Sequence, residues 1–213
     1  MTLTIRKIEE KDIPTMIDLV HEAWFKDIYQ KEPFEKAASA VSLNKALHNS
    51  SHGWVAEDDG QVLGMILCSI GNHDSEYRMY KTNDVINLIQ LSKHGDLSEI
   101  NRLINTFKAE REVYDQMSEQ VDQDFDASIE YIVVSSQARG QGIGKSLIFH
   151  SIKEFIEKEC HNFYLYTDSD CNYKFYDYLD FDQIAQTHIE LPSKEGKRQR
   201  QEFMYAATIA ANS

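Results

Sequence analysis

The run Ser135 to Ser146, SSQARGQGIGKS, sets three glycines at alternate positions, Gly140, Gly142 and Gly144, between the cations Arg139 and Lys145. It follows the apolar stretch Ile129 to Val134 and precedes a helix-patterned segment. Alternating glycines free a backbone for positive φ and for close approach. The first N–H groups of a following helix, at the positive end of its dipole, face the same point, so the chemistry on offer is anion binding. Two common phosphate-binding patterns fail on counting. A nucleotide phosphate loop ending in Gly144-Lys145-Ser146 requires glycine where Arg139 stands, and a dinucleotide fingerprint requires glycine where Lys145 stands. A pyrophosphate on some other carrier still fits.

A second concentration of chemistry lies about 30 residues on, in Asn172-Tyr173-Lys174-Phe175-Tyr176-Asp177-Tyr178, with Cys171 just before it. The acids Asp126 and Glu130 precede the glycine turn; Glu130 alternates with Tyr131, so one of the two side chains faces each side of a strand. His21, His73 and His150 are solitary and form no triad, with His150 expected on the surface. No histidine is placed by sequence to activate Cys171, which reads as a small packed residue. Cys68, Cys160 and Cys171 have neither disulfide-framework nor zinc spacing, and no metal is expected.

Elements must hold these groups in place. Thr2 to Lys7 alternates as a strand, and Ile13, Met16, Ile17 and Val20 mark one face of a helix. A second helix spans Pro33 to about His48, with Phe34, Ala37, Ala38 and Val41 inward. Asp58-Asp59-Gly60 reads as a tight turn between strands Trp54–Glu57 and Gln61–Ile70. From Ser75 to Gln123 the texture is polar and charged, with acids outnumbering bases, and it predicts two or three helices broken near His94-Gly95-Asp96. Ser128–Val134 is then a strand, Gln141–Glu159 a helix with Ile143, Leu147, Ile148, Ile152, Phe155 and Ile156 on one side, Phe163–Thr167 a strand and Cys171–Leu179 a short helix. A final hairpin of Phe181–Leu191 and Glu202–Ala207 carries the basic linker Pro192–Gln201. The order predicts a mixed α/β (α+β) sheet protein whose strand, glycine turn, helix and strand form a βαβ-like unit.

The 213 residues, 42% hydrophobic and 11% aromatic, suffice for a substantial core. A formal net charge of −13 argues against nucleic-acid binding and suits an amine or other cationic partner, although acidity also serves solubility. No stretch has the length of a membrane span and the start lacks a signal-peptide layout, so no membrane partner and a cytoplasmic location are expected.

Ile132 to Leu147 resembles the acetyl-CoA motif of the GNAT N-acetyltransferase superfamily, V-x-P-x-x-R-G-x-G-I-G-x-x-L. Val134, Arg139 to Gly144 and Leu147 fall on the pattern, and Ser136 replaces its proline. The run Asn172 to Phe181 resembles the family's N…(F/L)-Y-x-x-x-G-F, with Tyr176 and Phe181 in register, Asp180 where glycine is preferred, and Asn172 closer to the tyrosine than usual.

The resemblance implies a GNAT fold of bacterial type, a mostly antiparallel twisted sheet splayed at the cofactor strand with helices on both faces. One acetyltransferase domain would span residues 1–213, with a helical insertion at 75–123. It implies an acyltransferase of class EC 2.3.1 that uses acetyl-CoA as co-substrate and passes the acetyl group directly to a primary amine of a small molecule or peptide. The backbone of Ile132, Val133 and Val134 would pair with the pantetheine arm. The pyrophosphate would lie on Gly140, Gln141, Gly142, Ile143, Gly144, Lys145 and Ser146, with charge from Arg139 and Lys145 unless these are simply solvated, and Asn172 would add a cofactor contact.

Tyr176 would protonate the departing thiolate, and Glu130, or Asp126, would take the amine proton through water. Trp24, Phe25 and Tyr29 occupy the place of the acceptor loop and would line the substrate pocket, with core packing an equal reading of Trp24. The insertion is a candidate dimer face. A catalytically weak acyl-CoA-binding regulatory module is the alternative reading.

Overall fold

The computed structural model describes residues 3–71, 84–193 and 196–209. His73, the start of the expected insertion and the first residue of the expected opening strand lie outside them. The chain forms two compact units, residues 1–96 with 129–159 and residues 97–128 with 160–213.

The first unit opens with β1 (Thr4–Lys7), a 3₁₀ turn at Glu10–Asp12 and α1 (Ile13–Val20), which continues into a π-helical turn at His21–Phe25. Arg6 donates two hydrogen bonds to Asp12, at 2.7 and 2.9 Å, and reaches Glu57 on the neighbouring strand, so one guanidinium ties strand, turn and neighbouring strand together. α2 (Glu32–Asn49) starts with Pro33 in its first turn, where a missing N–H costs nothing. It buries Phe34, Ala37, Ala38 and Leu43, whereas Val41 is only half-buried.

β2 (His52–Asp58) and β3 (Gln61–Ile70) form the hairpin that Asp58-Asp59-Gly60 predicts. Asp59 and Gly60 both take positive φ, 48° and 80°, as a two-residue turn matched to strand twist requires. β4 (Ala127–Val134) reaches this unit from Ile129 on, and the amide of Ser135 bonds the carbonyl of Leu63 on β3 at 2.8 Å.

α1 and α2 pack on β3, and α5 (Ile143–Glu157) packs on β2 and β3. The Cys68 thiol of β3 donates to Ser151 of α5 at 3.5 Å, and burial pushes that thiol up to about 12. Gly64 has no side chain because Val133 and Ile143 fill the space: a Cβ there would lie 2.9 Å from the Val133 carbonyl. α5 buries Ile143, Leu147, Ile148 and Phe155, but Ile156, expected inward, is 43% exposed one helical step beyond the buried stripe. His150, expected on the surface, packs edge-on against Trp54 at 5.1 Å, and burial lowers its pKa. α3 (Asp84–His94) closes the unit with Leu91 inward and Val85, Ile86, Leu88 and Ile89 more than half exposed.

The second unit contains α4 (Leu97–Glu119), so the predicted break at His94-Gly95-Asp96 is observed. Its strands run in the order β5 (Asn162–Asp168), β7 (Gly196–Thr208), β6 (Asp182–Ser193), antiparallel throughout. The described residues of the expected basic linker Pro192–Gln201, 192–193 and 196–201, are instead strand: Leu191 faces Arg198 and Pro192 faces Lys197 in the ladder. Charge and proline there mark a solvated hairpin end rather than a loop.

Val113 and Met117 of α4 pack with Ile189, Leu191 and Met204. Beside this core, Arg200 donates to Glu202 at 2.7 Å and to Glu110 at 2.8 Å, and lies 3.7 Å from Asp168. Glu202 is fully buried, and its Oε2 has no hydrogen-bond partner among the described residues.

Candidate active site

The glycine turn leaves β4 through a 3₁₀ turn at Ser136–Ala138, in which the Ala138 amide bonds the Ser135 carbonyl at 3.0 Å. Gly140 and Gly142 then take φ of 77° and 78°, a region that side chains resist, and a Cβ at either would meet nothing within 4 Å. Backbone conformation, not crowding, is therefore what selects glycine at both. Gly142 is the N-cap of α5 and gives the first turn no side-chain cap. The helix thus begins with backbone N–H groups and the positive dipole end available to an anion. Gly144, the third glycine, lies inside α5.

Arg139, Gln141 and Lys145 are exposed; the Gln141 side chain donates to the Gln137 carbonyl at 3.4 Å, and the Lys145 ammonium lies 5.5 Å from the Phe149 ring. Ser146 bonds the Gly142 carbonyl at 2.9 Å through its amide. Val133 is buried, and Ile132 and Val134 are half-buried.

β4 resolves which way Glu130 and Tyr131 face. The Tyr131 hydroxyl shares a 2.6 Å hydrogen bond with Ser42 of α2, and its ring lies 4.9 Å from Trp24. Glu130 takes the opposite face, shared with Val134 and α5, and its charge contributes to the raised pKa of Cys68.

Of the expected acceptor-loop residues, Trp24 is half-exposed, whereas Phe25 and Tyr29 are buried, Tyr29 against Phe34 at 4.7 Å. His21 is not solitary: its Nε2 shares a 3.1 Å hydrogen bond with the buried Glu35, whose other oxygen accepts the Tyr29 amide at 2.8 Å. One carboxylate thereby closes the segment from the π turn to α2.

The second unit carries Tyr176 on the five-residue helix α6 (Lys174–Tyr178). Asp180, at the family's glycine position, has φ 60°, the left-handed conformation glycine would supply. The Phe181 amide bonds the Tyr176 carbonyl at 3.1 Å and the Asp180 amide bonds the Asp177 carbonyl at 3.1 Å, the paired bonds of a Schellman helix end. Phe181 also stacks on the Tyr176 ring at 6.1 Å. The departure from glycine leaves the turn geometry intact, because a short polar side chain tolerates this conformation.

Burial raises the Tyr176 phenol well above its ordinary pKa, with further contributions from Cys171, Asp168 and Tyr205, so it stays protonated at neutral pH. The Cys171 thiol donates to Asp168 at 3.7 Å. Asn172 is exposed, and Asp126 accepts the His161 amide at 2.7 Å. Among the described residues, no group of three or more His, Cys, Asp or Glu is arranged to hold a metal ion, and no helix is long and apolar enough to cross a membrane.

Residues 111–181, from α4 through the glycine turn to Phe181, match the model of the Acetyltransferase (GNAT) family. No curated protein matches the sequence. Similar solved structures include the ribosomal-protein-S18-alanine N-acetyltransferase of Escherichia coli, 14% identical, covering 100% of this chain and 97% of that one with a TM-score of 0.57. A histone acetyltransferase HPA2 and related acetyltransferase of Corynebacterium glutamicum is 17% identical with full coverage of both chains and a TM-score of 0.57. NAA60 of Arabidopsis thaliana, solved with a bisubstrate analogue, is 15% identical over 98% of each chain with a TM-score of 0.57. At these identities the likeness is one of fold, and it extends over both compact units. Over residues 111–181, which hold the glycine turn and Tyr176, the sequence is thus similar to the Acetyltransferase (GNAT) family, and over its length the chain shares the fold of these solved acetyltransferases.

Proposed function

We propose that the protein is an acetyl-CoA-dependent N-acetyltransferase that moves an acetyl group directly to a primary amine of a small molecule or peptide. The observation that carries this reading is the donor turn, where positive φ at Gly140 and Gly142 delivers the chain to an α5 N-terminus without a side-chain cap. Backbone N–H groups from Gly140 to Lys145 hold the pyrophosphate, with Gln141 and Ile143 contributing main chain, and Arg139 and Lys145 supply charge at the rim; the Ser146 amide, expected to join them, is taken by the Gly142 carbonyl within α5. Ile132, Val133 and Val134 offer backbone to the pantetheine, and Asn172 contacts the cofactor. Bound acetyl-CoA supplies an activated acetyl thioester.

Tyr176 holds the proton for the leaving sulfur. Its raised pKa makes it a reluctant acid, so its proton moves only as charge builds on that sulfur. The amine proton passes to water, since Glu130, the other candidate base, lies on the face of β4 opposite Tyr131 and Trp24. Trp24 lines the acceptor pocket, backed by Phe25 and Tyr29, and the chain's net charge of −13 favours a cationic acceptor. The deciding experiment measures thiol release from acetyl-CoA across a panel of small amines, polyamines and peptides. Turnover on at least one amine supports the enzyme; tight CoA binding without turnover on any of them leaves an acyl-CoA-binding module instead.

A further inference from the structure

Ser136 opens the 3₁₀ turn between β4 and the donor glycines, and both of its donors go to one carboxylate. Its amide bonds Glu22 Oε2 at 3.3 Å and its hydroxyl bonds Glu22 Oε1. Glu22 is half-buried in the π-helical turn His21–Phe25, two residues from Trp24, whose ring lies against Tyr131 of β4. The π turn is therefore fastened twice, by Trp24 on Tyr131 of β4 and by Glu22 on Ser136 just beyond the strand's end, with every partner in the first compact unit.

A bare carboxylate beside a phosphate seat would repel the ligand. Here the carboxylate stays ionised but its lone pairs are taken up locally, with Arg139 as the nearby opposite charge: the Ser136 hydroxyl lowers the Glu22 pKa most, burial opposes it, and the Ser136 amide, the Arg139 charge and Ser135 add to the lowering. What remains is a rigid tether on the residue that sets the direction in which the chain leaves β4 toward Gly140 and Gly142.

We propose that Glu22 is a positioning residue for the donor turn: through Ser136 it fixes the 3₁₀ turn that aims the glycines, and it makes the geometry of that turn depend on the Trp24 segment. The proposal rests on the reading of the turn as the seat of the CoA pyrophosphate. Glu22→Ala removes the acceptor. Ser136→Pro removes both donors yet suits the backbone, since Ser135 is extended with ψ 138° and tolerates a following proline.

Each variant, and the two combined, would be examined by calorimetric titration with CoA, by the KM for acetyl-CoA against kcat, and by amide exchange of residues 138–142 in the ligand-free protein. Each single change is expected to weaken CoA about fivefold, the size of one partly exposed charge-assisted hydrogen bond. The loss should fall in KM rather than kcat, loop exchange should speed up, and the double variant should be no worse than either single one. Glu22→Gln, which keeps an acceptor oxygen, should fall between wild type and Glu22→Ala. Unchanged affinity and exchange in both single variants, or losses that multiply in the double, would overturn the proposal. If wild type does not bind CoA, the pyrophosphate reading fails instead, while exchange in the ligand-free loop still decides whether Glu22 holds the turn.

Discussion

Glu202 offers the sharpest quantitative test in the second unit. Its carboxyl is fully buried beside Arg200, with Glu110 and Asp168 sharing the same guanidinium and the half-buried Tyr114 nearby. Burial raises its pKa; Arg200 opposes the rise, Asp168 and Glu110 add to it, and the net result is about 7 against an ordinary 4.5. A carboxyl with a raised folded pKa binds its proton more tightly folded than unfolded. Stability from this group is therefore complete below pH 4.5 and is lost as pH rises toward 7. At about 1.4 kcal/mol per pH unit, ionising Glu202 in the folded state costs roughly 3 kcal/mol.

Glu202→Gln keeps the shape and the oxygen that accepts from Arg200, and it leaves Arg200 paired with Glu110 and Asp168. It should match wild type near pH 4.5 and exceed it by up to about 3 kcal/mol at pH 8. Urea unfolding of both proteins, followed by far-ultraviolet circular dichroism from pH 4.5 to 8, isolates the effect, since the depressed carboxyls Asp12 and Glu22 titrate alike in both. A stability difference that does not change with pH, or a Gln variant less stable at pH 8, would refute the reasoning.

Three further outcomes follow from particular residues. Tyr176→Phe should cut turnover ~10-fold or more with acetyl-CoA affinity little changed, as steady-state kinetics and CoA titration would show. Gly142→Ala, with φ 78° and open space around the new methyl, should cost about 1 kcal/mol in stability from backbone conformation alone and weaken CoA binding, checked by denaturant unfolding and calorimetry. Asp180→Gly should raise stability by about 0.5 kcal/mol, because glycine takes the left-handed helix end at φ 60° without strain; an unchanged or lower unfolding midpoint would count against that account.

What the sequence disclosed is what depends on near neighbours. The Asp59-Gly60 turn, the break between α3 and α4, and the strand, glycine turn and helix of the donor motif are each set by a few adjacent residues, and each stands where the pattern put it. The hairpin of β6 and β7 was foreshortened because Pro192, Lys197 and Arg198 look like loop residues until a partner strand is supplied. The bonds from Ser136 to Glu22 and from Arg200 to Glu110 join residues 114 and 90 apart in sequence, so no local periodicity announces them. His21 looked solitary for the same reason: Glu35 lies on the next helix. The one recoverable signal was the serine at the motif's proline position, which adds two hydrogen-bond donors and so asks for an acceptor elsewhere.

The two compact units interleave along the chain, and this bears on how the protein is made. Everything in the first unit is complete once residue 159 has been synthesised. The second must wait: β5 pairs only with β7 within its unit, and β7 begins at Gly196. A ribosome therefore releases the donor turn and Trp24 segment into a unit able to form early, while α4, made before both, stays without its β6 and β7 packing until the last strand emerges. Pausing or truncation late in synthesis would leave the unit with the glycine turn built and Tyr176 without its sheet.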